Sequence, residues 1–409
     1  MEIIRKLLQL IGRGRKAELL PLFLTESFRS VSTALLSFFS AIYVFKTQLE
    51  ITGDQKQAMM AAFFFFLILY VFKLIGTSLA ENLSQKTGLR GQILIGEILT
   101  SLTILGFIAS LKIFAVIWIT SAVWGLAIGF FWFGRHGLIA KLSSNGSYGE
   151  TLGWASIVNT FLLLGVPFLG GFLIDRFGYN AMFIVSFAFM ILAFFSLTKV
   201  EEKMTHRDAT IGQIFKLFST HKRMALAYFS SGFLGAVYTS ALILFIFLTV
   251  KNEFAFGGFI SLSLFLVAIT NMLVGRWVDK KGKKVLIAYG SIFATITWLG
   301  RFLVGSVFAI FIFDVIDRIA SGMTNIPLGV LSYQKAIDGH STGKAMLFRE
   351  FSITFGGIAG SLLVISIAFF DIPLKFAFLA ASLIALLPLI IIKRNGICGD
   401  IPPTLRQES

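Results

Sequence analysis

The sequence predicts an all-α membrane protein whose twelve transmembrane helices form two pseudo-symmetric six-helix bundles. Three observations carry this prediction. Of 409 residues 56% are hydrophobic and only 14% charged, with a mean hydropathy of +0.84, whereas about a quarter of a soluble domain is charged. The chain divides into about twelve apolar segments near the length of roughly 20 residues that a helix needs to cross hydrocarbon. Finally, a compact acidic-then-basic turn, Gly275 to Lys284, has a worn twin 194 positions earlier at Glu81 to Arg90, so that Gly282 falls on Gly88 and Lys284 on Arg90. Two related turns nearly half a chain apart mark a duplicated unit.

Residues 1–21 carry Arg5, Lys6, Arg13, Arg15 and Lys16 among Leu7, Leu8, Leu10 and Ile11. Without a clean apolar stretch or a small-residue cleavage site, they read as a basic interfacial lead-in, not a signal peptide. An N-terminal bundle is expected over 22–198, with spans at 22–45, 57–80, 92–111, 114–138, 150–174 and 180–198. Residues 199–223 form the longest polar stretch, in which Glu201, Glu202, Lys203, Arg207 and Asp208 precede an amphipathic piece, Ile211 to Phe218, and they serve as a linker. A C-terminal bundle over 224–392 follows, with spans at 224–250, 254–277, 285–305, 307–332, 345–370 and 373–392, then a tail over 393–409. With the N-terminus inside, about 24 Lys and Arg residues fall in cytoplasmic segments and 6 outside (Lys46, Lys56, Lys112, Arg176, Lys251, Lys375). That bias places both termini in the cytoplasm and suits the inner membrane of a prokaryote. The net charge of +15 then meets anionic headgroups, so membrane lipids, not nucleic acid, are the expected partners. A single cysteine, Cys398, excludes an intrachain disulfide and a cysteine-based zinc cluster.

Ionisable side chains at membrane depth are costly, which makes them candidates for substrate binding or ion coupling. Asp314, Asp317 and Arg318 share the tenth span, and the four-residue spacing of Asp314 and Arg318 puts them on one helical face. They serve either the substrate or a structural ion pair. Glu26 and Arg29, three apart in the first span, form a second group. Arg349 and Glu350 in the eleventh span point about 100° apart; on that reading Glu350 faces the cavity and Arg349 the headgroups. His136 ends the fourth span beside Arg135, and imidazole titrates near physiological pH. Lys73 and Glu97 read as boundary residues. Asn159, Asn271 and Asn325 can hydrogen-bond a solute or join helices. No metal site is indicated, and no phosphate-cradling G-x-x-x-x-G-K-[ST], H-E-x-x-H or nucleophile elbow occurs, so neither ATP hydrolysis nor enzymatic chemistry has a motif here.

The turn at Gly275, Asp279, Lys280, Gly282, Lys283 and Lys284 matches every position of the cytoplasmic G-x-x-x-D-[RK]-x-G-[RK]-[RK] motif of the major facilitator superfamily, which the chain resembles. The N-terminal copy keeps Lys86, Gly88 and Arg90 but has Glu81 and Gln85 where the first Gly and the Asp belong. Gly165, Pro167, Gly170 and Gly171 are similar to the G-P-x-x-G-G bend of that family's antiporters, with the Gly one residue early. Arg318 and Gly322 have the R-x-x-x-G spacing of a motif that the family usually shows in the fourth span.

The resemblance implies a monomeric secondary transporter working without a cofactor by alternating access, with a proton gradient coupled to efflux of a small amphipathic molecule. Glu26 becomes a candidate proton carrier and the two turns an asymmetric cytoplasmic gate, with Asp279 as latch. Uptake of a sugar, peptide or metabolite, lipid flipping, and a sensor or scaffold built on a transporter fold remain alternatives.

Overall fold

The computed structural model describes residues 19–142, 162–200, 211–281, 283–338 and 342–391. Helix α1 covers Leu19–Thr52, α2 Gln55–Ser110, α3 Val116–Leu142 and α4 Val166–Leu197. The short α5, Ile211–Thr220, leads into α6, Lys222–Val237, which passes through a π-helical turn at Tyr238–Leu242 into α7, Ile243–Val250. Then come α8 (Glu253–Lys281), α9 (Lys283–Leu303), α10 (Val307–Asp338), α11 (Thr342–Phe369) and α12 (Phe376–Ile384), the last continued by a 3₁₀ turn at Leu387–Ile391. No strand occurs among the described residues.

Twelve crossings emerge from these elements because two of them double back. Helix α2 has 56 residues and would run about 84 Å if straight, nearly three times the thickness of a bilayer core of about 30 Å. It breaks at Gly88, whose φ of 69° and ψ of 178° suit a residue without Cβ. The N-terminal turn is therefore a reversal pivoting on its glycine. Helix α4 breaks likewise at Gly178, with φ of 77°. Helices α8 and α9 part between Lys281 and Lys283, 194 positions after the break in α2. Seven described helices are long and apolar enough to cross a membrane. Helix α10 has the length, but Asp314, Asp317 and Arg318 interrupt its apolar stretch.

The turns at one end, here the far end, lie at Gly53, Leu111, Gly178, Lys251, residues 304–306 and Asp371; the near end holds Leu19, Gly88, Leu197 and Ile391. Local chemistry closes the far-end turns. The Asp54 Oδ1 accepts from the Lys56 and Gln57 amides at 2.8 and 3.4 Å to cap α2. Lys251 takes the left-handed conformation (φ 64°) to end α7.

Within the first bundle, α3 lies directly on α2, and this closeness depends on glycine. A Cβ on Gly125 or Gly129 would strike the backbone around Leu69, Lys73 and Gly76, the small-x-x-x-small device that lets two helices touch in lipid. Outward faces are apolar, with Ile98, Leu102, Ile119, Phe195 and Phe308 exposed.

The bundles meet along α2 with α11 and along α4 with α8. The expected bend in the fifth span takes a different form. Pro167 sits in the first turn of α4, where its missing N–H costs nothing, and the chain turns at Leu164 and Gly165 just before it. Gly170 rests on Leu35 and Phe39 of α1, while Gly171 and Gly257 bring α4 and α8 into backbone contact. The Phe168 amide donates to Ser261 Oγ at 2.9 Å across this contact.

Candidate functional site

Four groups of polar residues lie inside this apolar frame. In the second bundle, Asp314 is fully buried and accepts from Arg318 Nε at 2.8 Å and Ser263 Oγ at 2.6 Å. The Tyr238 hydroxyl donates to it at 3.2 Å and itself accepts from Arg318. The π turn that begins at Tyr238 inserts one residue into the helical repeat, which turns this ring toward α10. Arg301 of α9, fully buried, reaches Asp317 at 3.1 Å and Asp314 at 3.5 Å and stacks on Trp298 with its guanidinium 4.5 Å from the ring centre. Two acids and two guanidinium groups thus neutralise one another in a single network. Sequence reasoning missed Arg301; its spacing of 16 residues from Asp317 gave no helical signal, and only its place inside an apolar span hinted at a partner.

In the first bundle, Glu26 binds Arg135 at 2.5 Å. Arg29 donates to Thr100 Oγ1 at 3.3 Å and lies over the Phe131 ring at 3.7 Å. Glu97, expected at a boundary, is buried on the second limb of α2. Helix α2 places it there because the chain has already turned at Gly88, two turns earlier.

The third group joins the two bundles. Lys73 of α2, also expected at a boundary, is buried and pairs with Glu350 of α11 at 3.1 Å. Glu350 lies 3.6 Å from His136 Nε2, and His136 is buried and stacked on Trp132. Arg349 does not turn to headgroups: its Nη1 sits 2.6 Å from His136 and 3.2 Å from Glu350. Adjacent helical residues diverge at Cβ, but a guanidinium stem is long enough to curl back.

The fourth group lies at the far end. Lys46 of α1 donates to Glu253 of α8 at 2.6 Å, and the Tyr179 hydroxyl donates to the same oxygen at 3.2 Å. With Tyr43, Glu50 and Asp175 these residues line a cleft of about 470 Å³. A smaller cavity of about 180 Å³ in the second bundle is lined by Ser231, Tyr238, Ser291, Asp317 and Asn325, among others. There Ser231 Oγ donates to Asn325 Oδ1 at 2.9 Å.

Of the remaining expected residues, Asn159 and Gly282 lie outside the described residues. Asn271, Gly275, Asp279, Lys280 and Lys283 belong to helices α8 and α9, but their side chains lie outside what is described. Lys284 is half-buried in the first turn of α9. Arg90 donates to the Val200 carbonyl at 3.2 Å, which ties the N-terminal turn to the end of α4.

Comparison with known proteins decides the family. The model of the Major Facilitator Superfamily matches residues 22–361. The chain belongs to this superfamily. No curated protein matches the sequence. Among solved structures, the human organic anion transporter MFSD10 (TETRAN) superimposes with a TM-score of 0.70 at 13% identity, covering 93% of this chain and 100% of that one. At that identity the likeness is one of fold. Membership makes the chain a multi-pass membrane protein and a secondary transporter that acts on a small molecule.

Proposed function

We propose that the chain moves a small amphipathic solute by alternating access between its two bundles, exchanging it outward for protons. The observation that supports this reading is the buried pair Lys73–Glu350, which crosses from one bundle to the other near the near end, with His136 and Arg349 attached. An ion pair that spans two moving bodies is strong only while they touch, so it favours one arrangement and is exchanged for water in the other. Lys46–Glu253 stands in the same relation at the far end.

Two cations around one carboxylate leave this junction with surplus positive charge, which favours a solute with an anionic head and an apolar body. The solved neighbour is titled an organic anion transporter, in keeping with that preference. The outward direction rests on the antiporter-like glycines of α4.

Reconstitution tests the proposal. Proteoliposomes preloaded with a fluorescent amphipathic anion should show counterflow, and an imposed pH gradient should drive accumulation against the solute gradient. Counterflow of neutral sugars or peptides with none of amphipathic anions would replace this reading by uptake of metabolites.

A further inference from the structure

Among the described buried carboxyl groups, Glu97 alone has no donor. Asp314, Asp317, Glu350 and Glu253 each sit in an ion pair, and Glu81 has a partner. Glu26, with its side chain 14% exposed, is held by Arg135 through one carboxyl oxygen. Glu97 is 1% exposed, and both of its carboxyl oxygens are buried without a hydrogen bond. Arg29 is close enough for its charge to act on Glu97, yet its guanidinium is engaged by Thr100 and the Phe131 ring.

An ionised carboxylate buried without a partner costs several kcal/mol even after the protein relaxes. A carboxylic acid in the same place costs far less, because only a neutral polar group is left unsatisfied. A ligand needs space, whereas a proton needs none. The geometry points to Glu97 as the group that carries the exchangeable proton of the transport cycle. This assignment rests on the proton-coupled reading above and places the carrier on α2, not on Glu26.

The O–H bond of Glu97 breaks, the proton passes to water that enters when the near end opens, and the electron pair stays on the carboxylate. Arg29 then has an anion to bind and can leave Thr100 and Phe131. Because Arg29 belongs to α1 and Phe131 to α3, proton release loosens α1 from α3 and tightens it on the second limb of α2. The other charges facing this site are Glu26 on α1 and Arg135 on α3, joined to each other; those of α11, Arg349 and Glu350, are taken by His136 and Lys73. Gln92 on the same limb contributes a further buried acceptor without a donor.

The test uses full-length protein in lipid nanodiscs. Infrared difference spectra across a pH titration, in light and heavy water, report the C=O stretch of a buried protonated carboxyl. The same variants in proteoliposomes report accumulation of a fluorescent amphipathic anion driven by a pH gradient. The proposal expects the band in the native chain and in Glu26→Gln, and its loss in Glu97→Gln. It also expects Glu97→Gln to lose gradient-driven accumulation, at least tenfold in rate, while retaining counterflow. Should Glu97→Gln fold poorly, Glu97→Leu serves the same purpose, because an apolar side chain suits a site without donors. A band that survives both substitutions, or accumulation unchanged by them in a chain that is otherwise proton-coupled, overturns the assignment. A native chain whose counterflow never responds to pH refutes the coupled reading itself, and the two failures are thereby told apart.

Discussion

Replacing Glu350 by Gln removes the negative charge shared by Lys73, His136 and Arg349 while keeping the shape of the side chain. At the observed 3.1 Å the Lys73–Glu350 attraction is about 5 kcal/mol at an effective dielectric constant of about 20. Both side chains are nearly inaccessible, 8% and 5% exposed, so desolvation offsets much of it while the pair is intact. Once Glu350 is gone, Lys73 remains a buried cation beside the partly exposed Arg349, a loss of about 3–5 kcal/mol. Opening the junction to water relieves that strain, so Glu350→Gln shifts the equilibrium toward the near-end-open arrangement by about a hundredfold or more.

The assay is a labelling rate. With Cys398→Ser removing the chain's one cysteine, Thr354→Cys provides a reporter one turn beyond Glu350 on α11 that is fully buried in this arrangement. A membrane-impermeant maleimide should react at least tenfold faster when Glu350→Gln is added. Replacing the pair together, Lys73→Met with Glu350→Leu, should return the rate most of the way to that of the reporter alone. Labelling unchanged by Glu350→Gln, or the double replacement as reactive as the single one, would refute the reasoning that this pair holds the bundles together.

Three further outcomes are expected. Arg301→Met strands Asp317 without the guanidinium 3.1 Å away, while Asp314 keeps Arg318; a stability loss of about 3–5 kcal/mol should appear as a large drop in melting temperature or loss of monodisperse protein. Lys56→Ala removes an equally short pair, 2.6 Å to Asp371, but one exposed by 38% and 71%, so the melting temperature should barely move, within about 0.5 kcal/mol. Gly88→Ala forces a Cβ into a φ of 69°; a cost of roughly 1–2 kcal/mol should be read in thermal unfolding, and Gly258→Ala, where an added Cβ meets open space, serves as the control.

What could be read from the sequence follows from what periodicity and composition encode. Apolar length and the twin turns were enough for the all-helical architecture, since hydrocarbon leaves an unpaired backbone few choices. Asp314 and Arg318 were legible as neighbours because four residues return to the same helical face. Lys73, Glu97 and Arg349 were misplaced because position along a span says how deep a residue lies, not which way it points. Their partners arrive from other helices, 277 residues away for Lys73 and Glu350, and no spacing rule reaches that far. Arg301 and Tyr238 went unnoticed for the same reason, and in the case of Tyr238 the π turn also displaced the helical register. Pro167 was recognised as a break, but whether proline kinks a helix or begins one depends on the residues before it.

The neutral network of α9 and α10 has an electrical consequence. Moving one elementary charge through the membrane potential involves about 2.3 kcal/mol per 100 mV. Asp314, Asp317, Arg301 and Arg318 hang on two adjoining helices and sum to zero, so their bundle can rock through the field with little work done by or against the voltage. Charge displacement during the cycle must then originate in the other bundle, or at its contact with α11. A capacitive current recorded from oriented protein on a supported membrane would accordingly track α1, α2 and α3, and remain largely blind to the half of the molecule that holds the densest set of charges.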